Sequence, residues 1–125
     1  MKKILLIDND KFYSDLYQRA FKVHSPQVEF YASIDISTDL LPEIKKIKPD
    51  VIVVSLDMQV DPGMEIMKTI RQTEEIKNTT IAVFVNTLAN DYSREALKDL
   101  DVAILGDKID LIPSHVVVEK ILALK

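Results

Sequence analysis

Short apolar runs alternate with amphipathic stretches five times along this chain. Ile4-Leu5-Leu6-Ile7 is apolar throughout and stops at Asp8, the pattern of a strand buried on both faces. Asp10 can then N-cap a helix whose apolar positions are Phe12, Leu16, Ala20 and Phe21. Val28 to Ala32 alternates and is rich in β-formers, as an edge strand would be. Leu40, Leu41, Ile44 and Ile47 mark a second helix. Pro42 fits only in its first turn, which places the N-cap near Thr38 or Asp39. Val51 to Leu56 is a third strand, and Gly63 precedes a helical face of Met64, Ile66, Met67 and Ile70. Ile81 to Val85 is a fourth strand, followed by a short helix through Ala96, Leu97 and Leu100 with Asn90 as its cap. Val102 to Gly106 is a fifth, and Pro113-Ser114 opens a last helix carrying Val117, Val118, Ile121, Leu122 and Leu124.

Five strand–helix units predict an α/β domain, a doubly wound parallel sheet with helices on both faces. The 125 residues suit one domain spanning 1–125. In such folds the site lies beyond the C-terminal ends of the strands. The residues at those ends are Asp8-Asn9 with Asp10, Ser55 and Asp57, Asn86-Thr87, and Asp107-Lys108. Pattern and topology together predict that they converge on one rim.

Composition narrows the function. A net charge of -4 argues against nucleic-acid binding, which needs a basic face. There is no cysteine, hence no disulfide framework and no thiolate metal site, which is compatible with a cytoplasmic location. The four-residue run before Asp8 is too short for a signal peptide, and no apolar stretch approaches a membrane span. Lys45, Lys46 and Lys48 read as a solvated helix face. No Gly-x-Ser-x-Gly turn, His-Glu-x-x-His helix or Walker loop is present, so an enzyme is not expected. His24 and His115 fall at the end of the first helix and the start of the last, away from the rim.

The chain resembles the receiver domain of two-component response regulators. The resemblance spans essentially the whole sequence. It rests on the first strand closing in Asp8-Asn9, on Pro49-Asp50 before the third strand, on Gly63 eight residues after Ser55, and on Lys108 after the fifth strand. It implies a flavodoxin-like five-stranded sheet in the order 2-1-3-4-5. It places Ser55 on the phosphoacceptor position, Asn9 in the acidic pair, and Asn86 with Thr87 at the hydroxyl switch. Leu105 stands where the family has its aromatic switch residue, and it reads either as a fixed contact on the surface of helix four, strand five and helix five or as ordinary core packing. Ile109 replaces the proline that usually follows the lysine.

Asp8 and Lys108 keep the family's chemistry outright. Ser55 does not: a neutral hydroxyl is a poor nucleophile without a base or metal to activate it, and magnesium wants hard carboxylate oxygens. The resemblance therefore implies a pseudo-receiver in a phosphorelay or two-component pathway. It would be independent of phosphorylation and act by contacts with signalling proteins or with itself. No cofactor is expected beyond magnesium held weakly by Asp8, Asn9 and Asp57. Two other readings stand beside it. Asp57, roughly 6–7 Å beyond Ser55, is a relocated phosphoacceptor in the first. The chain is a flavin- or nucleotide-binding domain in the second, although Asp8-Asn9-Asp10 occupies the loop where a phosphate cradle would be.

Overall fold

In the computed structural model, residues 2–8, 10–33, 40–56, 62–85, 94–107 and 113–124 are described. The elements are β1 (Lys3–Ile7), α1 (Lys11–His24), β2 (Glu29–Ser33), α2 (Leu41–Ile47), β3 (Val51–Leu56), α3 (Pro62–Gln72), β4 (Thr80–Val85), α4 (Arg94–Asp99), β5 (Ala103–Asp107) and α5 (Ser114–Leu122). The strands form one parallel sheet in the order β2-β1-β3-β4-β5, as expected.

Alternation along the strands sends side chains into two cores. Leu5, Ile7, Ile52, Val54, Ile81 and Val83 face Ile44 of α2, the α3 residues Met64, Ile66, Met67 and Ile70, and Leu97 of α4. Ile4, Leu6, Val51, Val53, Ala82 and Phe84 face Tyr17, Ala20 and Phe21 of α1 and Val117, Val118 and Ile121 of α5. Every residue of β3 is buried, as a central parallel strand between two helical layers requires.

Three sequence expectations are corrected. On α1 the buried face is Ser14, Tyr17, Ala20 and Phe21, while Phe12 is 65% exposed. The helix is turned so that Tyr17 stacks on Phe84 and Phe21 on Phe30, and this leaves first-turn Phe12 outside. The N-cap position of α2 is Leu40, with no side-chain cap bond. Thr38 and Asp39 lie outside the described residues, as does Asn90, the expected cap of α4. The third correction concerns the surface reading of Leu105, since the residue is buried and the core-packing reading holds. A register shift pairs Val83 with Ile104 and Phe84 with Gly106, so Leu105 is the extra residue of a β-bulge. It shares its face with Ala103 and packs in the α1–α5 core. Ile104 points the other way and is 44% exposed.

Long cationic side chains fasten the sheet's N-terminal edge. Lys2 and Lys3 project to opposite faces and each reaches a helix C-terminus. Lys2 Nζ donates to the carbonyls of Leu122, which ends α5, and Leu124 beyond it (3.2 and 3.0 Å), and Lys3 Nζ to that of Ile47 in α2 (3.3 Å). A cation there satisfies orphan carbonyls and meets the negative end of the helix dipole. Arg71, in the last turn of α3, also spends its donors on main-chain carbonyls, after α4 and before β4. Its guanidinium donates to the carbonyls of Leu100, Lys77, Thr79 and Asp101 at 2.6–3.0 Å. Burial lowers its pKa, with the nearby Asp101 carboxylate acting in the opposite direction. Arg71→Met removes these four bonds and strands the carbonyls that are buried. We expect a loss of about 2 kcal/mol in urea unfolding, with Arg71→Lys recovering only part, because an ammonium lacks the planar fork.

Candidate functional site

The β1–α1 turn builds the first part of the site. Asp8 continues the pairing beyond β1, its backbone N–H donating to the Ser33 carbonyl at 3.0 Å. Its side chain is fully buried, and Oδ1 accepts from the Asp10 N–H at 2.9 Å. A carboxylate bonding the backbone two residues on is a local turn former. Asp10 in turn accepts from the Phe12 N–H at 2.9 Å and caps α1, as its place in the sequence predicted. One oxygen of Asp8 is therefore already engaged in shaping the loop.

Ser55 forms the second part. Ile7 pairs with Val54, so Asp8 and Ser55 follow one another's strands at the same level. On the other side Ser55 pairs with Phe84. Ser55 is 1% exposed, and its hydroxyl finds no hydrogen-bond partner among the described residues. Ser14, on the helix packed over this face, is likewise buried and unpartnered. A buried hydroxyl without a partner costs ~1–3 kcal/mol.

Tyr17 and Phe84 close this side. Their rings stack with centroids 5.6 Å apart and 14° between planes. Burial, then the neighbouring Tyr13 and the Asp8 carboxylate, push the Tyr17 phenol up to about 12. These two aromatics border the candidate site without belonging to any motif in the sequence. The signal was present: Tyr17 lies four residues before Phe21 on α1, and Phe84 alternates with Ala82 on β4.

Asn9, Asp57, Asn86, Thr87 and Lys108 lie outside the described residues; of the expected rim the structure places Asp8, Asp10 and Ser55, with Asp107 closing β5. Leu105 is in the core behind it. Among the described residues no three of His, Cys, Asp and Glu converge as a metal site. Asp8, with one oxygen committed to the turn, and a neutral Ser55 hydroxyl make a poor donor set for magnesium. A histidine base is absent from this end, since His24 closes α1, roughly 20 Å of helix away from Asp10. A cavity of about 600 Å³, lined by Arg71, Lys77, Thr79, Leu100, Asp101 and Leu124 among others, opens at the opposite edge of the sheet. The guanidinium in it is committed to backbone carbonyls.

No family model matches the sequence, and no curated protein matches it. Solved structures do match in fold. The signal receiver domain of a DNA-binding response regulator (merR) from Colwellia psychrerythraea is 18% identical with a TM-score of 0.77, over 99% of this chain and 100% of that one. The chemotaxis response regulator CheY4 of Vibrio cholerae is 19% identical with a TM-score of 0.75, over 98% of this chain and 97% of that one. The phosphorylated cyanobacterial phytochrome response regulator RcpA is also 19% identical with a TM-score of 0.75, over 98% and 94% of the two chains. The fold is therefore the flavodoxin-like receiver fold, and its whole length is matched. No helix among the described residues is long and apolar enough to cross a membrane.

Two outcomes follow from this geometry. Ser55→Ala removes an unpartnered hydroxyl, so unfolding stability should stay level or rise by about 1 kcal/mol. A phenol whose pKa is raised on folding contributes stability that is complete below its unfolded value of 10.0 and is lost as pH climbs towards about 12. Phenolate absorbance should show one of the four tyrosines titrating last, and Tyr17→Phe should flatten the loss of stability above pH 10.

Proposed function

We propose that residues 1–125 form a single receiver-fold signalling module that works by protein–protein contact and independently of phosphorylation. The observation that carries this reading is Ser55: a neutral hydroxyl, 1% exposed and unpartnered among the described residues, at the end of the central strand. A phosphoryl group attacked from this position would need an activated oxygen. Asp8, the carboxylate at the end of the neighbouring strand, is engaged in its own turn. The module is not an enzyme in this reading. It holds magnesium weakly if at all, and it belongs to a two-component or phosphorelay pathway in the cytoplasm.

The contact face is α4–β5–α5, and it binds signalling proteins or a second copy, with no nucleic acid or membrane involved. With Leu105 in the core, the apolar side chain that β5 offers there is Ile104. Lys120 of α5 ties this face together by donating from Nζ to the Leu105 carbonyl at 3.2 Å.

Intact mass after incubation with acetyl phosphate and magnesium tests the reading, with Asp57→Ala alongside. No added phosphoryl group is expected on either protein. A hydroxylamine-labile gain that disappears in Asp57→Ala would overturn it and make Asp57 a relocated acceptor.

A further inference from the structure

The chain has two histidines, 91 residues apart in sequence (115 − 24), and the fold brings them together. His24 ends α1 and His115 lies in the first turn of α5. Their ring centroids are 5.9 Å apart with the planes inclined at 52°. Both side chains are exposed, and neither takes part in the Asp8–Ser55 site. Tyr17, Ala20 and Phe21 pack with Val117, Val118 and Ile121 to hold α1 and α5 together, and the two rings meet at the exposed edge of that seam.

We propose that His24 and His115 form a two-imidazole site for a divalent transition-metal ion, spanning the seam between α1 and α5. Two imidazoles on one tetrahedral zinc, at Zn–N distances of about 2.0–2.1 Å, put their ring centres roughly 5 Å apart. A small change in side-chain torsion, open to two exposed histidines, covers the difference. Among the described residues no third His, Cys, Asp or Glu completes the cluster, so water fills the remaining positions. Glu119 stands one turn along α5 from His115 and adds negative charge to the same side of that helix.

Imidazole nitrogen selects copper, nickel and zinc over magnesium and calcium, with copper bound most tightly. The ion that this seam takes is thus chemically distinct from the one a receiver rim would take. A bound ion would pin the first turn of α5 to the end of α1, and α5 is one edge of the proposed contact face.

Zinc and copper titrations at neutral pH, by calorimetry and thermal unfolding, test this on the wild-type chain, His24→Ala and His115→Ala. One ion per chain and a rise in Tm are expected for the wild type. Each single variant should lose about tenfold or more in affinity, together with the Tm rise, because one imidazole is left without its chelating partner. Magnesium should give no response in any of the three at this seam. Equal binding by the wild type and either variant would overturn the proposal, as would absence of zinc and copper binding by the wild type. Both variants change exposed positions, so unperturbed folding without metal is expected and is checked in the same melts.

Discussion

The structure depends on the complete burial of β3. Val51 to Leu56 has sheet neighbours on both sides and a helical layer on each face. Such a strand must be apolar, or must satisfy every polar group it carries, because unpaired charge in this setting costs several kcal/mol. Ser55 is its single polar side chain. A carboxylate at that position would call for cations around it. A neutral hydroxyl does not, and its cost is limited to ~1–3 kcal/mol when unpartnered. The chemistry of residue 55 thus changes what the rest of the rim has to supply.

The two ends of the sheet are built differently. At the N-terminal edge, Lys2, Lys3 and Arg71 spend their donors on main-chain carbonyls of α2, α5, the loop before β4 and the turn after α4. Charge there closes the ends of helices. At the C-terminal edge the described groups are a buried carboxylate, a buried hydroxyl and a neutral phenol stacked on Phe84. The first end secures the fold, and the second carries the residues on which the proposed function rests. Ser55 does not disturb the two cores, since the other five residues of its strand are apolar.

The strands were legible because a parallel sheet buried on both faces writes itself as uninterrupted β-branched and aliphatic runs, and β3 was read to its exact ends. Helix α3 was legible from its four-residue apolar face. Helix α1 was misread in rotation. Phe12 was read as part of the apolar face, and only the stacking of Tyr17 on Phe84 and Phe21 on Phe30 fixes the turn of that helix. Such pairs join distant segments and leave no local signature. The bulge that carries Leu105 inward is also a matter of pairing register, which apolar content alone does not encode. Of the site, Asp8 and Ser55 were found by counting to the strand ends. The meeting of His24 with His115 depends on how α1 and α5 pack, so it could not be read from either segment.

The central claim is that the end of β3 is inert to magnesium and phosphate. Backbone amide chemical shifts, recorded while magnesium and then beryllofluoride are added, test it most directly. The account predicts that the amides of Asp8, Ser55 and Leu56 keep their positions. Saturable shifts at those three, spreading to Phe84 and β5, would contradict it and show a rim that still binds a phosphoryl mimic and relays it.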